Sequence, residues 1–267
     1  MKKQEERLGI LVASFGTSHL DTLEKTIAAV EAETKNAYEE AEVYRAFTSG
    51  MIRRKLKEEY GILTDDVRDA LARMKKDGIG KVWILPTHVI PGEEYEKVLN
   101  EAALMKDKFS EMRIARPLLG YPEDYKECVN AVMNHICLAE DEILLLMGHG
   151  TGHFANSAYP ALEYTFHSMG YRQVFVGTVE GFPAFEDAFA RISDCRKKQI
   201  LLMPFMVVAG DHAKNDMAGE EDSWLTMLKE RGYEVKAVLR GLGEMEEIRE
   251  LFLQHLKEAE LIECRNM

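Results

Sequence analysis

Short apolar runs alternate with amphipathic helical patterns from one end of the 267-residue chain to the other. Runs such as "LGILVASF", "KVWILPTHVI", "EILLLMGH" and "QILLMPFMVV" predict strands, and intervening stretches such as "VRDALARMKKDG" predict helices that end at glycine. This alternation is typical of α/β folds with parallel sheets. Runs that are apolar on both faces, such as "ILLLM", indicate sheets covered by helices on both sides.

The two halves of the chain resemble each other. "LGILVASFGTS" is similar to "DEILLLMGHGTG", and "VWILPTHVIPGEEYEK" is similar to "ILLMPFMVVAGDHAKND". Aligning the halves pairs three strand-end positions of the first with three of the second: Phe15 with His149, Ser49 with Glu180, and Glu94 with His212. The repeat predicts two similar Rossmann-like halves, residues 1–128 and 129–267, each a parallel sheet of about four strands flanked by helices. A boundary is expected in the helix around residues 121–140.

Composition excludes several classes of function. The formal net charge of -12 disfavours binding to nucleic acid, and no apolar run is long enough to cross a bilayer. The start, "MKKQEERLGILVASFG", has the pattern of a first strand rather than of a leader. The four cysteines form no CxxC pair, which is typical of a reducing compartment. We therefore expect a cytoplasmic protein without membrane or nucleic-acid partners; a homo-oligomer is left open.

Candidate metal ligands lie at the predicted strand ends of the second half. Ligands of open parallel sheets bind beyond the carboxyl ends of the strands, and there the chain places His149 in "GHG", Glu180 in "TVEG" and His212 in "GDHA". Imidazole and carboxylate groups suit divalent cobalt, nickel, zinc and iron. Three protein ligands leave coordination positions open. We expect Glu94, from the first half, to face this set across a cleft.

Each of these residues has a structural alternative. His149 could hydrogen-bond a loop, His212 could begin a helix, and Glu94 could interact with a helix dipole from the first turn. Glu180 is poorly placed at a strand end unless a polar group faces it. The four together favour a site because one structural rule gathers them.

Further candidates for substrate binding follow the strands of the first half: Ser14, Phe15, Thr17 and His88. For His88, a structural role inside an apolar strand end is an equal alternative. Nucleotide use is not expected, because the chain has no GxxxxGK[ST], and "GHGTG" departs from the dinucleotide fingerprint GxGxxG. The absence of GxSxG disfavours a hydrolase.

Several motifs together resemble one enzyme family. They are "VASFGTS", "YRAFTSGMIRRKL", "GEEYEK", "MGHG", "VGTVEGFP" and "LMPFMVVAGDHAKNDMAGEEDSW". In this order, over nearly the whole chain, they are similar to the anaerobic cobalt chelatases of cobalamin synthesis, the sirohydrochlorin cobaltochelatases of the CbiK type among the class II chelatases related to ferrochelatase. The resemblance implies two related α/β domains with a tetrapyrrole cleft between them, and ATP-independent insertion of Co²⁺ into sirohydrochlorin.

The resemblance also implies roles for named residues. It implies metal binding by His149, Glu180 and His212, and a place in the active site for Glu94. Loss of two pyrrole protons requires an acceptor, and Glu94 or one of the histidines could serve.

The substrate that the resemblance implies is a polyanion, which an acidic chain must meet with local positive charge. Arg45, Arg53 and Arg54 are candidates to meet its carboxylates, and a solvated helix face is the alternative. Iron or nickel insertion into the same ring stays open because the ligand types accept several divalent ions. A third hypothesis is a non-catalytic carrier of metal or tetrapyrrole.

Overall fold

The computed structural model describes residues 6–195 and 197–262 and contains two compact units. The second unit is Tyr121–Ile248, and the first consists of the described residues before and after it. The second unit begins earlier than the predicted second half, 129–267, and it ends before the last residues of the chain. Residue 128 lies inside a helix of the second unit, and the last strand of the chain pairs with the first unit's sheet. That strand has only two residues, too few to show a pattern in the sequence.

The first unit has a five-stranded sheet in the order β2-β1-β3-β4-β9, in which all neighbours are parallel except β4 and β9. The strands are β1 (Leu8–Ser14), β2 (Glu42–Phe47), β3 (Lys81–Pro86), β4 (Glu111–Ile114) and β9 (Glu260–Leu261). The helices are α1 (Leu20–Lys25), α2 (Ile27–Ala37), α3 (Gly50–Tyr60), α4 (Val67–Lys76) and α5 (Glu93–Met105).

The second unit has a four-stranded parallel sheet in the order β6-β5-β7-β8. The strands are β5 (Glu142–Gly148), β6 (Val174–Thr178), β7 (Gln199–Pro204) and β8 (Glu234–Ala237). The helices are α6 (Pro122–His135), α7 (Ala158–Ser168), α8 (Phe185–Ser193) and α9 (Trp224–Glu230). Helix α10 (Glu246–Lys257) begins in the second unit, and from Arg249 onward it belongs to the first. A short π-helical turn, Ala213–Met217, lies between β7 and α9.

Burial follows the sequence pattern. The central strands β1 and β5 are buried along almost their whole length, as expected of strands that are apolar on both faces. Helix α4 buries one stripe of side chains at the helical spacing i, i+3, i+4, i+7, namely Val67, Ala70, Leu71 and Met74. Its N-cap, Asp66, accepts a hydrogen bond from the Asp69 amide at 2.9 Å.

The strand registers confirm the internal repeat. The first four strands of each unit have the same order, with the second strand at one edge and the first beside it. Across the strands, Ala13 is level with Ala46 and Pro86 in the first unit, and Met147 is level with Gly177 and Pro204 in the second. This is the alignment predicted from the sequence. Among the described residues, no helix has both the length and the apolar character of a bilayer span.

Candidate metal centre

The two glycines around His149 allow two close approaches of the backbone. At Gly148, a Cβ would lie 2.2 Å from Cε1 of the Tyr159 ring. Gly150 has a φ of +82°, a region that favours glycine, and a Cβ there would lie 2.5 Å from the Gly181 nitrogen. The end of β5 is therefore fixed against its neighbours, with the imidazole of His149 still 39% exposed.

Glu180 follows β6, the neighbouring parallel strand. Its amide donates a 2.8 Å hydrogen bond to the His149 carbonyl, which extends the pairing of β5 and β6 beyond their ends. Oε2 of the Glu180 side chain lies 3.9 Å from Nδ1 of His149, and that side chain is 58% exposed. The carboxylate and the imidazole thus lie at the same end of the sheet, beyond the carboxyl ends of β5 and β6, and both reach the surface.

His212 approaches from the other side of β5. It follows β7 and immediately precedes the π-helical turn Ala213–Met217. Its ring meets the ring of His149 edge to face, with centroids 4.6 Å apart and planes at 88°. The three strands β6, β5 and β7 therefore each supply one side chain to a single place, as the carboxyl ends of parallel strands allow.

The three side chains can hold one metal ion. A nitrogen or oxygen donor from each of His149, Glu180 and His212 lies within 4.8 Å of the other two. Two imidazoles and a carboxylate form a donor set for a divalent transition metal, with further coordination positions left open. Within 6–195 and 197–262, no other group of three such side chains converges in this way.

Both histidines have an oxygen acceptor at Nδ1. Nδ1 of His149 lies 2.9 Å from the Gly150 carbonyl oxygen, and Nδ1 of His212 lies 2.7 Å from Oδ2 of Asp216. A carbonyl or carboxylate oxygen accepts, so each Nδ1 carries the hydrogen and each Nε2 keeps its lone pair for a metal. Asp216 was not among the candidates predicted from the sequence. Its i, i+4 spacing from His212 in "DHAKND" was the available signal.

Asn156 was missed as well, and no local motif marks it. Its Oδ1 accepts a 3.0 Å hydrogen bond from the Thr151 amide, and its Nδ2 donates to the Phe182 carbonyl. Thr151 follows His149 closely, and Phe182 follows Glu180. One side-chain amide therefore ties together the two loops that carry these ligands.

In the first unit, the predicted binding residues have different surroundings. Ser14 is buried and accepts a 2.7 Å hydrogen bond from the Thr87 hydroxyl. Thr17 is buried and accepts one from the His19 amide at 3.1 Å. Phe15, by contrast, is an exposed aromatic ring. Substrate contacts by these residues stay predictions.

His88 is 8% exposed, and neither ring nitrogen has a hydrogen-bond partner among the described residues. Burial, with a smaller contribution from the charge of Lys97, lowers the pKa of His88 to about 4. The imidazole is therefore neutral at physiological pH.

Glu94 lies in the first turn of α5, in the first unit. Its Oε2 is buried, with no hydrogen-bond partner in the part of the chain that the structure describes. Glu93 and Glu96 lie in the same turn, where carboxylates interact favourably with the helix dipole. The role of Glu94 in the active site stays a prediction.

The three candidate arginines are not equally available. Arg45 forms a two-point ion pair with Glu31, with Nε 2.6 Å from Oε1. Arg53 pairs with Asp66 at 3.2 Å. Arg54 is exposed. Two of the three positive charges are thus partly compensated within the protein.

Comparison with known proteins finds a family model and two relatives that match most of the chain. The family model for cobalt chelatase (CbiK) matches residues 8–261. "Sirohydrochlorin cobaltochelatase" of Salmonella typhimurium is 38% identical over 252 residues, 94% of this chain and 95% of the relative. "Sirohydrochlorin cobaltochelatase CbiKC" of Nitratidesulfovibrio vulgaris is 32% identical over 256 residues, 94% of this chain and 90% of the relative.

A solved structure shows the same fold. SirB from Bacillus subtilis, in a structure with Fe³⁺, matches with a TM-score of 0.63 over 94% of this chain and 95% of its own. At 12% sequence identity, this likeness concerns the fold alone.

Proposed function

Because the chain belongs to the cobalt chelatase (CbiK) family, we propose that it inserts Co²⁺ into sirohydrochlorin, the cobalt-inserting step of anaerobic cobalamin synthesis. The observation that carries the proposal is the convergence of the His149, Glu180 and His212 donors within 4.8 Å of one another. The set is partly exposed, so an ion that it holds can still meet a large planar ring.

The metal is a substrate in this reaction, so the site must both bind it and release it. Neutral imidazoles at His149 and His212 donate through Nε2, and the Glu180 carboxylate compensates part of the positive charge. Three protein ligands leave coordination positions on the ion open. Pyrrole nitrogens can bind at these positions first and then displace the protein ligands. The ion then passes from protein donors to ring donors without a change of oxidation state.

Charge balance fixes the rest of the chemistry. The ring loses two pyrrole protons as Co²⁺ enters, so the products are the cobalt complex and two protons. We propose Glu94 as the first acceptor, since its buried Oε2 has no hydrogen-bond partner among the described residues. A His149 or His212 nitrogen vacated by the metal is the alternative acceptor. We propose that no step uses a nucleotide, since transfer is favourable when the ring binds the ion more strongly than the three side chains do.

The carboxylate rim of the substrate needs a cation. We propose Arg54 for this contact ahead of Arg45 and Arg53, since the latter two already hold acidic partners. Arg54→Ala should raise KM for sirohydrochlorin and leave Co²⁺ binding unchanged. If Arg54→Ala raised KM less than Arg53→Ala does, the preference for Arg54 would be contradicted.

The proposal is tested with purified protein, sirohydrochlorin and Co²⁺ in the absence of oxygen and ATP, followed by the visible spectrum. The wild type should convert the ring catalytically, and His149→Ala and His212→Ala should abolish this conversion. His135→Ala is the matched control, because it removes a half-buried imidazole of the same unit that is paired with Glu247 instead. Conversion no faster than in a protein-free mixture, with stoichiometric binding only, would show a carrier.

Parallel reactions with Fe²⁺ and Ni²⁺ rank the metals. Faster turnover with either ion than with Co²⁺ would replace cobalt in the proposal and leave the ligand set intact. Cytoplasmic location and assembly into a homo-oligomer stay predictions, which fractionation and sedimentation of the full chain test.

A further inference from the structure

One short polar contact joins the candidate ligand His212 to Asp216. Nδ1 of His212 lies 2.7 Å from Oδ2 of Asp216, four residues later in the chain. We propose that Asp216 is a positioning residue, which holds His212 with its Nε2 directed to the metal and strengthens that nitrogen as a donor. This inference rests on the proposed function and assigns a role to a residue outside the ligand set.

The chemistry of the contact fixes the tautomer. An ionised carboxylate has only acceptor oxygens, so the hydrogen of a neutral His212 ring must be on Nδ1. The lone pair is then on Nε2. Asp216 is not a member of the convergent group of donors, so its effect on a bound ion passes through His212. Carboxylate partners of this kind raise the basicity of metal-binding histidines.

The local backbone explains why the carboxylate is held there. Asp216 lies in the π-helical turn Ala213–Met217, whose first and last side chains are fully buried and anchor it to the second unit. Gly219 follows two residues after the turn, and a Cβ there would lie 2.4 Å from the Asn215 carbonyl oxygen. Single π-helical turns are frequent at functional sites. Here the turn carries Asp216 on the same segment as His212, so packing fixes both partners.

The role predicts a specific kinetic pattern. Loss of the carboxylate should weaken Co²⁺ binding about 10- to 100-fold, the range typical of such partners of metal ligands. KM for Co²⁺ should rise by a similar factor. At saturating Co²⁺, kcat should stay within a few-fold of the wild type, because His212 itself is still present to deliver the ion.

The first experiment needs no tetrapyrrole. Co²⁺ is titrated into the wild type, Asp216→Asn and Asp216→Ala, and the visible absorption of the bound ion is followed. Asp216→Asn keeps an acceptor oxygen, so it should lose less affinity than Asp216→Ala. Glu221→Gln is the matched control, because it removes one negative charge from an exposed position in the same loop. It should bind Co²⁺ as the wild type does.

A second measurement examines the metal-free protein directly. Long-range ¹H–¹⁵N spectra distinguish the two neutral tautomers of each histidine, and His212 should carry its hydrogen on Nδ1. In Asp216→Ala, that preference should be lost while the thermal transition shows that the protein is folded. This readout does not depend on turnover, so a protein that fails as a chelatase can still support or refute the role of Asp216.

Four results would overturn the inference. The first is unchanged Co²⁺ affinity in both variants, and the second is an equal loss in Glu221→Gln, which would indicate a general charge effect. The third is a hydrogen on Nε2 of His212 in the wild type. A fall in kcat with KM for Co²⁺ unchanged would likewise reject positioning, since it would place Asp216 in the transfer step.

Discussion

Gly150 and Gly181 lie so close that a Cβ added at Gly150 would come within 2.5 Å of the Gly181 nitrogen. The two glycines follow His149 and Glu180 directly, so their contact sets the spacing of the two ligands. The same Cβ would also lie 3.0 Å from the carbonyl carbon of Glu180. Backbone atoms cannot yield as a flexible side chain can.

Gly150→Ala should therefore separate the ligands. The added methyl group forces the two loops apart, and the φ of +82° is unfavourable for alanine. We expect Co²⁺ affinity to fall at least 10-fold and stability to fall by about 1–2 kcal/mol. Isothermal titration and urea unfolding measure the two effects. Gly152→Ala is the control, since a Cβ there meets no atom within 4 Å. If Gly150→Ala and Gly152→Ala lowered Co²⁺ affinity and stability equally, the backbone contact at Gly150 would not be the cause.

Asn156 should matter for the same pair of loops. Asn156→Asp keeps the oxygen that accepts from the Thr151 amide but replaces the donor to the Phe182 carbonyl with a second acceptor. We expect the loop after Glu180 to loosen and Co²⁺ affinity to fall about 10-fold, the lower end of the range for groups that orient metal ligands.

Competitive titration against a chelator of known affinity measures the change in Asn156→Asp. Asn130→Asp, at an exposed position of α6, introduces the same charge away from the loops and should bind Co²⁺ as the wild type does. Wild-type affinity in Asn156→Asp would mean that the Gly150–Gly181 contact alone fixes the ligands.

The outer edge of β6 is closed by an ion pair rather than by another strand. Glu163 accepts a 2.6 Å hydrogen bond from the Val176 amide and pairs with Arg191 at 2.8 Å, while Arg191 donates to the Val176 carbonyl at 3.0 Å. Glu163→Ala removes the charge partner of Arg191 and leaves the Val176 amide without its acceptor, while Arg191 keeps its bond to the Val176 carbonyl. The free energy of unfolding should fall by about 1–3 kcal/mol. An exposed edge also favours association.

Urea unfolding and light scattering test both consequences of Glu163→Ala. The comparison variant is Glu186→Ala, which breaks the exposed pair with Arg231 at 2.6 Å in the same unit. Such surface pairs contribute about 0–1 kcal/mol. If the two variants lose equal stability, the Glu163 pair does not protect the edge.

The sequence was sufficient for the parallel sheets and for the convergence of His149, Glu180 and His212 at one place. Metal binding by these three residues stays a prediction. The alternation of strands and helices predicted parallel sheets, and the repeat aligned the strands of the two halves. His149, Glu180 and His212 could therefore be placed at the strand ends that bind ligands. Asn156 left no such pattern. Asn156 contacts two loops that are distant from each other in sequence, and only the folded chain brings them to it.

One further difference has a simple physical cause. The two-residue strand β9 depends on tertiary pairing with β4, so its place in the first unit's sheet was not readable from local preference. Ser14 was a candidate for ligand contact because it ends β1; its hydroxyl is buried against Thr87, and its contact with substrate stays a prediction. Position at a strand end predicts proximity to a site, whereas the direction of each side chain depends on packing.

His88 makes stability depend on pH. Its pKa is about 4 in the folded protein and about 6.5 when unfolded. Below about pH 6.5, His88 of the unfolded chain takes up a proton. In the folded protein the buried ring near Lys97 stays neutral until the pH falls to about 4. This contribution to stability is therefore complete at neutral pH, decreases as the pH falls through this window, and stops changing below about pH 4.

The wild type should consequently lose about 2 kcal/mol more stability between pH 7 and pH 5 than His88→Gln, which stays neutral throughout. Urea unfolding at several pH values gives both curves. If His88→Gln and the wild type stay parallel instead, the His88 ring takes up protons in the folded state, and the enclosed site must admit water or a counter-charge.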